Sequence, residues 1–382
     1  MTGETRTEVV IVGGGPAGLA TSACLNVLSV PNVVLEREAC TASLWKLRAY
    51  DRLKLHLAKR FCELPHMPFP AGTPTFVPRK QFLDYLTEYE RRFALAPVCS
   101  TLVERAAYSD SAAEWRVTAR DVITGELRLY RSRFLVVATG ENSQGFIPSV
   151  PGLKSFPGDV LHSTSFKSGR DYAGKRVLVV GSGNSGMEIA YDLCNHGAET
   201  SIVIRAPVHL FNKELIYLGM TLLKYLPVAV VDAVVLLIAT FKYGDMSKHG
   251  IVRPAKGPFR NKIDTGRSAI IDVGTVGKIK SGEIKVVKGE IKSIKGNELE
   301  FTNGETKYYD HIVFATGFRS TAKNWLRDDD SLMDANGMPN EKAPNHWKAK
   351  KGLYCAGFAQ SGLAGVAMDA QNVANDIKKH YA

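Results

Sequence analysis

Two short stretches hold residue types at spacings that could do chemistry. EVVIVGGGPAGLA (8–20) and VLVVGSGNSGMEIA (177–190) each run from aliphatic residues through Gly-x-Gly-x-x-Gly into a helix-forming sequence. A glycine turn between strand and helix aims free backbone N–H groups and the positive helix end at a pyrophosphate. The first candidate cradle is Gly13, Gly14, Gly15, Pro16, Ala17 and Gly18; the second is Gly181, Ser182, Gly183, Asn184, Ser185 and Gly186. Gly13 and Gly181 allow the tight turn, Gly15 and Gly183 let backbone approach the phosphates, and Gly18 and Gly186 let helix and strand close up. Two tight turns without a ligand are the plain alternative.

The end of the next strand separates the two. NVVLERE (32–38) places Glu36 there, 23 positions after Gly13, followed by Arg37. A carboxylate at that point accepts from both ribose hydroxyls and repels a ribose phosphate. SIVIRAP (201–207) places Arg205 24 positions after Gly181, and a guanidinium without an acid suits an adenosine 2′-phosphate. The expectation is FAD on the first cradle and NADPH on the second, a hydride acceptor with its donor. An ordinary surface arginine is the alternative at Arg205.

The elements that must position these residues come in a large repeat. VVIVGGGPAG (9–18) is followed by FLVVATGENS (134–143), and VLVVGSGNSG (177–186) by HIVFATGFRS (311–320). Strand-like sequence with turn signals precedes each ATG, so each unit reads as βαβ, a meander, and a strand ending in ATG. Thr139, Gly140, Thr316 and Gly317 are thereby candidates for cofactor contact. The tail GLYCAGFAQSGLAGVAMDAQNVANDI (352–377) reads as strand, glycine loop and helix, returning to the first unit. The expected fold is α/β, with two doubly wound, Rossmann-like dinucleotide-binding domains. The FAD domain is discontinuous (1–168 and 318–382), with the NADPH domain (169–317) inserted.

LIYLGMTLLKYLPVAVVDAVVLLIATF (215–241) is the most apolar stretch, interrupted by Lys224, Pro227 and Asp232. A membrane-spanning helix needs about 20 nearly unbroken apolar residues. Two shorter helices parted near Pro227, packing over the active site or on a partner, are expected. Shallow membrane contact is the alternative.

Composition excludes several classes. The chain has 382 residues, 45% hydrophobic and 23% charged, enough for two or three domains with proper cores. No signal peptide is expected in the short, polar MTGETRTE. Six scattered cysteines, with no CxxC and no metal-ligand spacing, suit a reducing compartment and argue against a disulfide framework and a redox dithiol. The net charge of +11 thickens in KIKSGEIKVVKGEIKSIKG (278–296), where lysines alternate with apolar residues as in a half-exposed β-meander. No aromatic–basic nucleic-acid motif is present, although the excess could attract a polyanionic cofactor or an anionic lipid surface.

FPGDVLHSTSF (156–166), read alone, is a loop with a histidine. Phe156, Gly158, His162 and Phe166 nevertheless fit FxGxxxHxxx(F/Y), the identifying motif of class B flavin monooxygenases, shortly before the second cradle. SLWKLRAYDRLKLHLAKRFCELPHMPFP (43–70), FVPRKQFLDYL (76–86), ATGENS (138–143) and GLYCAGFAQSGLAGVAMDA (352–370) stand with it. On these stretches the chain resembles the plant YUCCA-type flavin-containing monooxygenases along nearly its whole length. The resemblance implies a cytoplasmic enzyme, with the cytosolic face of the endoplasmic reticulum as a variant location. It would convert indole-3-pyruvate, a 2-oxo acid, to the auxin indole-3-acetate, using NADPH and dioxygen. In such enzymes dioxygen adds at C4a of the reduced flavin, and the peroxide attacks the keto carbon with loss of the carboxylate.

The same resemblance implies roles for individual residues. Leu44 and Trp45 match a block lying along the flavin, and His162 counts among the cofactor residues. His56 falls where a side chain could hydrogen-bond the reacting oxygen, with a packed neutral imidazole as the alternative. Asn142, with Ser143, is expected near the nicotinamide ribose. Arg48, Arg52 and Lys54 are open candidates for the substrate carboxylate. Departures are Ala206 and Pro207 after Arg205, and Ala359-Gln360-Ser361 near the tail loop, which touch substrate preference most. Oxygenation of a soft nitrogen or sulfur, Baeyer–Villiger insertion, and a non-catalytic cofactor-binding protein remain the competing readings.

Overall fold

The computed structural model describes residues 3–327 and 331–381. β1 (Glu4–Val12), α1 (Pro16–Val27) and β2 (Asn32–Leu35) make a parallel βαβ turn. Helices α2 (Ser43–Leu47) and α3 (Arg79–Arg92) follow. β3 (Thr101–Ser109), β4 (Glu114–Asp121) and β5 (Leu127–Val137) form an antiparallel meander whose last strand joins β1 in parallel. β1 therefore has neighbours on both sides. Its Val9, Val10 and Ile11 are wholly buried, the continuous aliphatic pattern of a strand covered on both faces.

The second sheet repeats the plan with a different meander. β6 (Val160–His162), β7 (Arg176–Val180), α4 (Asn184–Asn195) and β8 (Glu199–Val203) lead into three helices. These are α5 (Lys213–Leu222), α6 (Val228–Tyr243) and α7 (Pro258–Thr265). β9 (Ile284–Val287) returns to the sheet, and β10 (Ile291–Lys295), β11 (Glu298–Phe301) and β12 (Thr306–Tyr308) stand apart as an antiparallel meander. β13 (His311–Phe314) completes a parallel sheet of order β9-β8-β7-β13-β6. The chain then returns to the first sheet. β14 (Leu326–Arg327) pairs with β3, β15 (Leu353–Cys355) pairs with β5, and α8 (Gly362–His380) packs along α1.

These elements fall into two units, one of Met1–Arg48, Ala58–Gln144 and Phe318–Ala382, the other of Ala49–Leu57 and Gly145–Gly317. The border expected at 168/169 thus lies at 144/145, because β6 pairs with β13 of the second sheet. Residues 49–57 also belong to the second unit, where Tyr50 joins its core. The lysine-rich run is not one meander. It spans the helix Thr275–Lys280, parallel strand β9 and only one strand of the true meander, β10.

The apolar stretch breaks at Pro227, which stands as the N-cap of α6. Asp232, the charge interrupting its sequence, is buried and accepts from the N–H groups of Phe259 (2.8 Å) and Arg260 (3.1 Å). It therefore caps the first turn of α7. No helix among the described residues is long and apolar enough to cross a membrane.

Candidate functional site

In the first unit Gly13 takes φ +114°, and a Cβ there would lie 2.5 Å from the Ala138 carbonyl oxygen. A Cβ on Gly18 would overlap the Gly13 carbonyl. Both glycines are demanded by the protein itself. Gly15 is different: its φ is −77° and an added Cβ would meet no protein atom within 4 Å. Pro16 opens α1, whose cap residue Gly15 offers no side chain to the first-turn N–H groups. The space in front is therefore open, and the donors face it.

That space is a cavity of about 340 Å³. Among the residues that line it are Gly13, Gly15, Pro16, Ala17, Glu36 and Arg37, with Leu44, Trp45, Thr139, Gly140 and Asn142. Gly14 does not line it but serves Glu36, a nearly buried carboxylate that accepts from Gly14 N (2.6 Å) and Glu38 N (2.9 Å). A side chain on Gly14 would strike Glu36, with Cβ atoms 2.8 Å apart. The two backbone bonds hold Glu36 rigidly and leave carboxylate lone pairs over for a further donor. The Thr139 hydroxyl is buried with no hydrogen-bond partner among the described residues, whereas Ser143 donates to the Thr139 and Gly140 carbonyls. Trp45 is fixed by an edge contact to Phe82 at 4.7 Å and by Arg79, which donates to the Trp45 and Lys46 carbonyls and so caps α2.

The tail supplies lining that the motifs did not name. Gly357, Gly362, Leu363 and Val366 border the cavity, as do Thr321 and Trp325. Buried Asp369 accepts from Gly357 N at 2.9 Å and fixes that loop. The glycine spacing of CAGFAQSGLAG was the available signal for the loop, but nothing in the sequence marks Trp325.

The second cradle copies the first within its own unit. Gly181 takes φ +112° and its Cβ would lie 2.5 Å from the Ala315 oxygen; a Cβ on Gly186 would overlap the Gly181 carbonyl; Gly183 again faces nothing within 4 Å. Ser182 lies in the turn and Ser185 in the first turn of α4. Asn184 is engaged, its Oδ1 accepting from Ile271 N at 2.8 Å. Just past β8, Arg205 stands exposed with a single ion pair to Glu290, 3.3 Å away and also exposed. Such a pair in water is worth little, so the guanidinium can be drawn to a stronger anion at little cost.

His162 ends β6, beside β13. Its buried ring donates from Nε2 to the Gly317 carbonyl (3.0 Å), and Nδ1 accepts from Thr164 (3.0 Å). Burial pushes its pKa below the usual 6.5. A side chain on Gly145 would collide with the ring, one on Gly158 would collide with the Asp310 carbonyl, and Phe156 and Phe166 are core residues. The motif thus builds a brace under the second ATG, where the Thr316 hydroxyl also donates to the Phe146 carbonyl.

His56 and Asn142 fall in different units. His56 donates from Nε2 to buried Glu188 at 2.8 Å, and its Nδ1 lies 3.5 Å from the Asn184 amide nitrogen. The three basic candidates separate as well. Arg48 lines the first cavity and pairs with Glu38 at 2.8 Å. Arg52, stacked 4.5 Å over the Tyr191 ring, and Lys54 line a second-unit cavity of about 350 Å³ with Lys213 and Glu188. Burial holds the Lys213 amine below its usual pKa, against the pull of Glu188.

The six thiols are poor nucleophiles. None is in a disulfide, and burial raises every one, Cys24 and Cys62 to about 12. A thiol held protonated neither attacks nor relays electrons.

Residues 10–216 match the family described as pyridine nucleotide-disulphide oxidoreductase. Solved structures agree on the fold. A flavin-containing monooxygenase from Stenotrophomonas maltophilia superimposes with a TM-score of 0.73 over 99% of this chain and 100% of its own, at 22% identity. Cyclohexanone monooxygenase from Rhodococcus sp. Phi1, solved with NADP⁺, gives 0.72 over 99% and 85%, at 15% identity. The class is therefore a two-cradle, Rossmann-type oxidoreductase.

Closer relatives narrow it. The probable indole-3-pyruvate monooxygenase YUCCA10 of Arabidopsis thaliana is 55% identical over 99% of this chain and 98% of its own length. The Arabidopsis indole-3-pyruvate monooxygenase YUCCA6 is 45% identical over 98% and 90%. The chain belongs to the YUCCA family.

Proposed function

We propose that the chain is an FAD- and NADPH-dependent monooxygenase that decarboxylates indole-3-pyruvate oxidatively to indole-3-acetate with dioxygen. The carrying observation is the near-full-length identity to proteins named for that reaction. The raised thiol pKa values favour it over the disulfide chemistry in the wider family's name.

The residues fit both cofactors. The open space before Gly15 and Gly183 is what a pyrophosphate needs, and the unpartnered Thr139 hydroxyl awaits a polar group. In this reading Gly13 to Gly18 and the first turn of α1 hold the FAD pyrophosphate, Glu36 takes its ribose, and Leu44, Trp45, Thr139 and Gly140 lie along the rest. Gly181 to Gly186 hold NADPH, and Arg205 leaves Glu290 for the 2′-phosphate. When bound, the pair supplies a hydride donor and an acceptor that, once reduced, activates dioxygen.

The chain's own work is to bind, orient and keep water out. His162 acts as a positioning residue, holding Gly317 and hence the second ATG. His56 donates a hydrogen bond from Nε2–H to Glu188, which leaves the weakly held Nδ1 as the acceptor for a reacting group. Asn142 contributes a polar side chain at the first cavity. Arg52 and Lys54, grouped with Lys213, are the stronger choice for the substrate carboxylate; Arg48 is already occupied by Glu38. A reducing, cytoplasmic location suits six unpaired cysteines.

The test is product analysis of the purified protein with NADPH and, in turn, indole-3-pyruvate, a thioether and a cyclic ketone. Indole-3-acetate forming in step with NADPH use supports the reading. Faster turnover of the thioether or ketone replaces it with the alternative oxygenations, and no NADPH use with any substrate removes it.

A further inference from the structure

Helix α6 is apolar on most of its surface, yet only one side of it is covered. Val231, Val235, Ala239 and Tyr243 are buried in the second unit's core. On the opposite side Val230 (46% exposed), Leu237 (60%) and Phe241 (83%) form a stripe at i, i+7 and i+11, with exposed Ala233 between them. Tyr225 (79%) and Leu226 extend it just ahead of the helix. At 16 residues the helix is about 24 Å long. A contiguous apolar strip of that length on a protein surface marks an interaction site.

The surrounding charge indicates what covers it. The stripe itself carries none. Lys224 precedes it, Lys242 and Lys248 follow, and Arg253 is anchored on its flank by donating to the Thr240 hydroxyl at 2.8 Å. From 213 to 267 nine Lys and Arg stand against four Asp and Glu. Of the four acids, Asp232 is the buried cap of α7, and Asp264 already holds Lys256 and Arg260. Aromatic rings at both ends, aliphatic residues between and long cations at the rim match a helix lying in a lipid headgroup layer. A second copy would bring the same positive rim against itself, which like-charge repulsion disfavours.

We propose that this face of α6, with the Tyr225–Leu226 turn, docks on an anionic phospholipid surface, the helix lying in the plane of that surface. The inference stands apart from the catalytic reading. Neither Leu237 nor Phe241 touches a cradle, and failure of the oxygenase assay would leave it intact.

The experiment is sedimentation of the purified full chain with vesicles of phosphatidylcholine alone and with phosphatidylserine added. Binding to the phosphatidylserine vesicles should be tighter by about tenfold or more and should weaken with salt. L237E/F241E should lose about tenfold or more of it while remaining folded and consuming NADPH as before. K242Q/R253Q, which spares the apolar stripe, should erase only the preference for phosphatidylserine. Absence of binding to either vesicle overturns the proposal, as does binding unaffected by both double variants. So does a native dimer that F241E converts to monomer, because the face would then be a protein interface.

Discussion

The two glycine cradles are near copies in backbone and opposites at the rim. Gly13 and Gly181 share φ values of +114° and +112°, each backed by an alanine carbonyl 2.5 Å from a would-be Cβ. One strand later, the first cradle has a carboxylate locked by two backbone N–H groups, and the second has an exposed guanidinium in a weak pair. Glycine spacing therefore sets the shape, and in the proposed reading one side chain past the second strand of each βαβ unit sets which nucleotide enters. On that reading a rigid acid selects by repulsion as well as attraction, whereas a loose arginine has only to capture a phosphate.

The sharpest way to break this comparison is to add one methyl group at each middle glycine. Gly15→Ala should purify folded but colourless, because the new Cβ meets ligand space and no protein atom. Gly183→Ala should stay yellow and raise the KM for NADPH by about tenfold or more. Flavin absorbance retained by Gly15→Ala, or lost from Gly183→Ala, would dismiss the assignment of the two sites. Gly18→Ala serves as the contrast: its Cβ overlaps the Gly13 carbonyl, so folded protein itself should be lost.

Next in size comes the rim. Arg205→Ala should weaken NADPH by roughly ten- to a hundredfold while changing NADH by about twofold at most, since only NADPH carries the phosphate. Equal losses in steady-state kinetics would make Arg205 an ordinary surface residue. A smaller effect is expected where the second unit departs from the first. Asp232→Ala removes the cap of α7 and should lower stability by about 1–2 kcal/mol in urea unfolding, with flavin content unchanged.

The smallest effect is a pH slope. Burial lowers the folded pKa of His162 and of His209, both in the second unit, below 6.5. The unfolded chain then binds protons more readily, so stability is full above about pH 6.5 and falls as the pH drops through that value. Thermal unfolding should shift to lower temperature between pH 7.5 and 5.5 (about two units, chosen to bracket an imidazole). His162→Gln/His209→Gln should flatten that slope; an unchanged slope would remove these histidines as its source.

Much of this was legible in the sequence, and for a local reason. Strand, glycine turn, helix and strand-end charge lie within about 25 residues of each other, so spacing alone reveals them. The Pro227 break and the returning tail were legible for the same reason. The remainder depends on contacts distant in sequence. The border moved to Gly145 because Val160–His162 pairs with His311–Phe314. Residues 49–57 joined the second unit through contacts such as His56 with Glu188. Asp232 looked like an interruption of an apolar run until its carboxylate was found on the first turn of α7. The histidine motif suggested a cofactor contact, and only the fold shows the ring supporting a carbonyl 155 positions away.

The first unit is sewn from stretches on either side of the second, and this sets an order of events during synthesis. The strand Leu353–Cys355 beside β5 and the helix against α1 are translated after the 145–317 segment. The 145–317 segment is finished earlier and can collapse while the ribosome is still working. Until the residues after 317 emerge, the half-sheet built earlier waits with an unclaimed edge beside the end of β5, and the pocket bordered by Gly357, Gly362 and Val366 is unfinished.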